Sequence, residues 1–177
     1  MDLVEILRLR VEKALDGSKV EEGAVRKIAA FASRETGDAR KAVELLAKAV
    51  KLAEEGSGRL TEAEVDAAER SLELDKTEEL IRSLARQQQL ALQACYLGFA
   101  QRRGRLSTGD AFQVYADLCK AQGTTAISQR RFSDMLNFLD LYGLVNATVI
   151  SKGRFGKTRE MSPSLPAEVA SRLLKAE

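Results

Sequence analysis

The sequence predicts a mainly α protein in two parts: a small helical bundle over residues 1–76, then a helix-turn-helix with a basic β-hairpin over residues 77–177. Three observations carry this prediction. Apolar residues recur at i, i+3, i+4 and i+7 in one segment after another, and the segments meet at glycines. Within Ser128–Met161 an amphipathic helix stops at Gly143 and gives way to two short strand-like runs joined by a basic, glycine-containing loop. The charge also changes sign along the chain: residues 1–80 hold 14 Lys and Arg against 19 Asp and Glu, and residues 81–177 hold 14 against 7.

The first helix covers Leu3 to Leu15, with Leu3, Ile6, Leu7, Val11, Ala14 and Leu15 on one side, and Gly17 breaks it. It starts without a cap ahead of Asp2, as expected of a chain cut from something longer. A second helix spans Glu21 to Thr36, with Val25, Ile28, Ala29 and Ala32 inward. Gly37 ends it, and Asp38 caps a third helix from Ala39 to Glu55. The wide apolar face of that helix holds Ala42, Val43, Leu45, Leu46, Ala49, Val50 and Ala53, and Gly56-Ser57-Gly58 stops it. Thr61-Glu62-Ala63-Glu64 is a capping box for a fourth helix to about Leu74, with Val65, Ala68 and Leu72 inward. Four amphipathic helices with short glycine corners make a bundle. Asp75 to Thr77 is the expected boundary, because it is polar and the charge balance turns just beyond it. It has no Gly or Pro run, so it reads as a close junction or a nearly continuous helix.

The second part opens with helix over Thr77 to Arg102, in one piece or two, with Leu80, Leu84, Leu90, Ala94 and Leu97 apolar. Arg102-Arg103-Gly104-Arg105 is a basic turn, either a solvated loop or a phosphate contact. Ser107 or Thr108 caps a helix through Ala121, with Ala111, Val114, Tyr115 and Leu118 inward, and Gln122-Gly123-Thr124-Thr125 is the turn. Ser128 then caps a helix that buries Phe132, Met135, Leu136 and Leu139. Its opposite face carries Arg130, Ser133, Asp134 and Asn137, with Gln129 and Arg131 on the flanks. Val145 to Ile150 is a β-branched strand, and Thr158 to Ser162 can return antiparallel to it. A tail helix from Pro166 to Lys175 presents Val169, Leu173 and Leu174 to the domain. Helix, helix, turn, helix, strand, wing, strand is the order of a winged helix.

Composition narrows the chemistry. There is no histidine, so the commonest general base and metal ligand is missing. Cys95 and Cys119 fall on apolar helix faces, far from any C-x-x-C spacing, and read as buried thiols, with a disulfide or a reactive thiol as the alternative. No G-x-x-x-x-G-K-[ST] loop cradles a phosphate. An enzyme is the least favoured class, with no catalytic residue and no metal. No apolar run approaches the ~20 residues of a membrane span, and the N-terminus is charged throughout, so a cytoplasmic, nucleoid-associated protein is expected.

The surplus of cations in the second half points to nucleic acid. Gln129, Arg130, Ser133 and Asn137 have the chemistry for base edges in a major groove, with Arg suited to guanine and Gln or Asn to adenine. Asp134 is awkward beside phosphate, and pairing with Arg130 or Arg131 would neutralise it. In the wing, Gly153 and Gly156 permit close approach to a duplex. Lys152, Arg154, Lys157 and Arg159 would meet phosphates or a narrow minor groove. Phe155 is either a strut for the hairpin or a contact to sugar and base edges.

These residues carry a resemblance. ISQRRFSDMLNFLDLYGLVNATVISKGRFGKTREM is similar to the C-terminal winged helix of the archaeal origin-recognition proteins, AAA+ replication initiators related to eukaryotic origin recognition complex subunit one and cell-division-control protein six. Both Arg130–Arg131 before Ser133–Asp134 and the wing from Ser151 to Thr158 match. Upstream, Gly37-Asp38-Ala39-Arg40-Lys41-Ala42 resembles the sensor-two motif of the AAA+ lid. The resemblance implies a helical lid followed by a winged helix. Its implied partners are double-stranded origin DNA, the replicative helicase and other initiator copies, with no membrane. Gln129, Arg130, Arg131 and Ser133 would contact the major groove, and Arg40 would reach the γ-phosphate of ATP held by a preceding base domain. ATP and Mg are thus implied for the full-length protein and no cofactor for this stretch alone. The sequence departs from the family in having no P-loop and no Walker B segment. Nor does Leu84-Ala85-Arg86-Gln87-Gln88-Gln89 hold the Leu-Pro and nearby His that often open the family's winged helix. Two other readings remain: a winged-helix transcription regulator that senses a ligand or dimerises, and a protein-interaction module that never meets DNA.

Overall fold

The computed structural model describes residues 3–14, 19–35, 39–102, 104–151 and 157–175. Over these residues the order is α1 (Leu3–Ala14), α2 (Glu22–Glu35), α3 (Ala39–Glu55), α4 (Glu62–Ser83), α5 (Arg86–Gln101), β1 (Leu106–Ser107), α6 (Thr108–Ala121), α7 (Gln129–Leu141), β2 (Val145–Ser151), β3 (Lys157–Pro163) and α8 (Ala167–Lys175). Contacts divide the chain into two compact units, Met1–Lys76 and Thr77–Glu177.

In the first unit the helical period selects the core. Leu7 and Val11 of α1, Val25, Ile28, Ala29 and Ala32 of α2, and Ala42, Leu45, Leu46, Ala49 and Ala53 of α3 are buried with Val65 and Ala68 of α4. Val43 and Val50, expected inward, stand half-buried at the edge of the wide α3 face. Two segments outside the helices also join. The Leu60 amide donates to the Lys19 carbonyl at 2.8 Å, and the Glu21 amide donates to the Leu60 carbonyl at 3.0 Å. That pairing sets the starts of α2 and α4 side by side, and Lys27 then reaches Asp66 at 2.8 Å and Glu62 at 3.3 Å. The capping box forms: the Glu64 carboxylate accepts from the Thr61 amide at 3.0 Å, and the Thr61 hydroxyl accepts from the Ala63 amide at 3.1 Å. Gly17 and the Thr36-Gly37-Asp38 corner lie outside the described residues.

The fourth helix does not end at Leu74. α4 continues to Ser83, and a break at Leu84-Ala85 precedes α5. Polar residues do not stop a helix in the absence of Gly or Pro, and Asp75–Glu79 contains neither. Lys48 pairs with Asp75 at 3.0 Å, and Arg82 with Glu78 at 3.4 Å one turn apart. Gln88 turns back to accept from the Ala85 amide at 3.0 Å and starts α5.

The core of the second unit lies where α5, α6 and α7 meet the sheet. Leu90, Leu92, Cys95, Tyr96 and Phe99 of α5 pack with Tyr115, Cys119, Phe132, Leu136, Leu139, Leu144, Val145 and Met161. α5 therefore buries a broader face than its expected positions, and Leu97 is only half-buried. On α8, Val169 is buried and Leu173 and Leu174 lie against this core.

The sheet has three strands in the order β1-β3-β2, all antiparallel. β1 is absent from the sequence reading: two residues cannot show an alternating pattern. It pairs Leu106 with Met161 and Ser107 with Glu160. Gly98 lets β1 lie close on α5, since a Cβ there would sit 2.6 Å from a Leu106 methyl.

Both cysteines are free and buried, and burial pushes the Cys95 thiol from its ordinary 9.0 up to about 12. Burial raises the Tyr96 and Tyr115 hydroxyls as well. A raised folded pKa contributes stability that is complete below the unfolded pKa and is lost as pH rises toward the folded one. Thermal melts followed by far-UV circular dichroism are expected to hold steady to about pH 8 and then fall from about pH 9 upward. Cys95→Ala should make that fall shallower; an unchanged fall would assign it to the tyrosines alone.

Candidate nucleic-acid interface

Ser128 caps α7, its hydroxyl accepting from the Arg131 amide at 3.4 Å. Phe132, Leu136 and Leu139 are buried, and Met135 is half-buried at the edge of that face. Burying one stripe turns the other outward: Gln129, Arg130, Arg131, Asp134 and Asn137 are exposed and Ser133 is half-buried. Phe132 fixes the rotation of the helix. Its ring meets Phe112 edge-on with centroids 5.4 Å apart, and Tyr115 at 4.8 Å. The expected pairing of Asp134 with Arg130 or Arg131 does not form; among the described residues no ion pair joins them. Both arginines reach into solvent, where a one-turn ion pair gains only a few tenths of a kcal/mol.

Gly143 ends α7 with φ 68°. The Gly143 amide donates to the Asp140 carbonyl and the Leu144 amide to the Leu139 carbonyl, both at 2.9 Å, which is the Schellman pattern. The chain leaves that turn directly into β2. The Asp140 carboxylate then accepts from the Ala147 amide at 2.8 Å and ties the outer edge of β2 to α7. An acidic residue in the last turn of a helix opposes the helix dipole. That unfavourable placement is the signal from which the role of Asp140 could have been read.

β2 and β3 pair from Val145 with Pro163 to Ser151 with Lys157. The loop tip with Lys152, Gly153, Arg154, Phe155 and Gly156 lies outside the described residues, as does the side chain of Lys157, the first residue of β3. The hairpin and α7 border a common groove of about 290 Å³ lined by Thr108, Ser133, Val149, Thr158 and Arg159. Thr108, Val149 and Thr158 carried no signal as site residues, because only the fold brings them to Ser133.

Arg159 is half-buried, and its Nη1 is shut from solvent without a hydrogen-bond partner. Alternation in β3 puts it on the same face as the buried Met161 and opposite Val149 of β2, which is exposed. The basic turn is also neutralised: Arg102 pairs with Asp110 at 3.0 Å and Arg105 with Glu160 at 2.9 Å, while Arg103 lies outside the described residues. These ion pairs favour the solvated-loop reading of that turn. In the first unit, Arg40 is exposed in the first turn of α3. Among the described residues no group of His, Cys, Asp and Glu is placed to hold a metal ion, and no helix is long and apolar enough to cross a membrane.

Comparison with known proteins gives a family. Residues 79–171 match the model of the CDC6 C-terminal winged helix domain, and residues 4–70 match that of the Cdc6 AAA+ ATPase-type lid domain. The chain is 37% identical over 176 residues to the ORC1-type DNA replication protein 4 of Haloarcula marismortui, covering 99% of this chain and 34% of that protein. It is 42% identical over 162 residues to the ORC1-type DNA replication protein of Pyrococcus abyssi, covering 90% of this chain and 38% of that one. The structure of the Aeropyrum pernix ORC1 protein in complex with DNA superposes with a TM-score of 0.78 at 32% identity, over 99% of this chain and 46% of that one. The chain thus spans between about a third and a half of the length of these relatives. It belongs to the Cdc6/ORC1 family of replication initiators and comprises the AAA+ lid followed by the C-terminal winged helix.

Proposed function

We propose that this chain is the part of a replication initiator that binds origin duplex DNA, with α7 in the major groove and the β2–β3 wing on the backbone and minor groove. The observation that carries this reading is the shared groove, which has Ser133 of the polar α7 face on one side and Val149, Thr158 and Arg159 of the hairpin on the other. A helix and a wing that border one surface can straddle a duplex; pieces that point apart cannot. The Aeropyrum pernix relative is described in complex with DNA, which supports the same use of the fold here.

In this reading Gln129, Arg130, Arg131, Ser133 and Asn137 meet the major groove, and Lys152, Gly153, Arg154 and Lys157 bring the wing to phosphates. Phosphate contacts give affinity without sequence information, and base-edge contacts give specificity. Arg40, exposed at the start of α3, has the position and charge to meet a nucleotide phosphate. ATP, Mg and helicase loading are what the family resemblance implies for the whole initiator. Because the rest of the initiator would share the sequence-specific contacts, this chain alone should bind more weakly and less selectively than the full protein.

A salt titration of binding to origin-like and random duplexes tests the reading. The affinity should fall steeply with salt on both, and Arg154→Ala should weaken both and lower the slope by about one unit. Arg130→Ala should cost about 1–3 kcal/mol, mainly on the preferred site, if it reads a guanine. Equal, salt-insensitive binding by wild type and both variants would reject DNA binding and favour a protein-interaction module.

A further inference from the structure

Two penalties attach to Asp140. It lies in the last turn of α7, where a negative charge opposes the helix dipole. It also belongs to a unit proposed to meet phosphates, which repel it. Its contacts supply a reason for an acid here. The Asp140 carbonyl accepts from the Gly143 amide at 2.9 Å, and its carboxylate accepts from the Ala147 amide at 2.8 Å. One residue thus holds both the turn that leaves α7 and the strand that follows it. Tyr142 braces the same corner, its ring meeting that of Phe138 with centroids 4.3 Å apart.

β2 needs such a tie. The sheet order β1-β3-β2 makes it an edge strand, paired with β3 along one side only. The Ala147 amide points to the open side, since its acceptor is on α7. From Ala147 the strand runs on to Ser151 at the foot of the wing loop, about 13 Å away at roughly 3.3 Å per residue. A tilt of roughly 10° about Ala147 would move Ser151 by about 2 Å, more than a hydrogen bond at the wing tolerates.

Resting on the DNA-binding reading above, we propose that Asp140 is a positioning residue. It touches no DNA; through the Ala147 amide it fixes the angle of the wing to α7 before a duplex arrives. Helix and wing then bind as one rigid body, and the wing is ordered during folding and not on binding.

The test compares duplex binding by wild type, Asp140→Asn and Asp140→Ala, each with and without Arg154→Ala. Asparagine keeps an oxygen for the Ala147 amide, and alanine does not. Both remove the same negative charge, so relief of repulsion alone would make both bind tighter. The tie predicts a split. Asp140→Asn should bind as tightly as wild type or up to about threefold tighter, while Asp140→Ala binds about tenfold weaker on origin-like and random duplexes alike. Arg154→Ala should lose about tenfold in wild type and in Asp140→Asn, but only about threefold in Asp140→Ala, because a loose wing must be ordered before its contact counts. Ala147→Pro cuts the same bond from the donor side, at an outward amide of an edge strand where proline is tolerated. It should behave as Asp140→Ala does, and it carries the test if that variant fails to fold. Equal gains in Asp140→Asn and Asp140→Ala, or an Arg154→Ala loss that is the same in every background, would overturn the role of Asp140 and leave DNA binding intact. Failure of wild type to bind any duplex at low salt would instead overturn the DNA-binding reading, and this role with it.

Discussion

Phe132→Ala is expected to lower the stability of the winged-helix unit by about 3–5 kcal/mol. Phe132 is fully buried, and its ring is held between Phe112 and Tyr115. The space left cannot close easily, because Tyr115 is fixed at its far end. Its hydroxyl donates to the Gln87 side chain and accepts from the Ile127 amide at 3.3 Å. A loss of this size takes much of the ~5–15 kcal/mol that holds a domain folded. Phe132 also lies between Arg131 and Ser133, so its loss frees the start of α7 and should abolish duplex binding. Urea unfolding followed by tyrosine fluorescence reads this unit alone. The chain has three tyrosines and no tryptophan, and Tyr96, Tyr115 and Tyr142 all fall after residue 76. Phe132→Leu should recover most of the loss, and a Phe132→Ala midpoint equal to that of wild type would show that the ring does not hold α7 in place.

Tyr96→Phe is expected to cost about 2–3 kcal/mol, although it removes a single oxygen. The Tyr96 hydroxyl donates to the Leu144 carbonyl at 2.9 Å and accepts from the Ser164 and Leu165 amides at 3.1 and 2.7 Å. Leu144 is buried, so water cannot easily replace the bond to its carbonyl. The hydroxyl therefore ties α5 to both ends of the hairpin: the turn that enters β2 and the segment that leaves β3. Beyond the loss of stability, amide hydrogen exchange at Ser164 and Leu165 should quicken more than exchange within α6. Uniform quickening across the unit, or none, would show that the hydroxyl is not the tie between α5 and the wing.

The candidate site was legible where its chemistry is local. The exposed face of α7 follows from a period of 3.6 once Phe132, Leu136 and Leu139 are taken as its buried stripe. Ser128 and Gly143 mark its ends because capping is decided within three or four residues. The same reasoning failed where several signals compete. Arg159 sits in a run of cations and reads as one more of them, yet one nitrogen of its guanidinium is shut from solvent. The one-turn pairing of Asp134 with an arginine was plausible by spacing alone, but such pairs are worth too little to fix two solvated side chains.

By itself the sequence determined the winged-helix class, the bounds of α3 and α7, the bundle core and the place of the hairpin. Each of these depends on residues near one another in the chain. Only the tertiary structure decided the β1 strand, the Tyr96 tie to Leu144 and Leu165, and the meeting of Thr108, Ser133 and Val149 at one groove. Those features join segments up to 69 residues apart. A contact between distant segments leaves no period and no cap in either one, because its energy exists only once the core has brought them together.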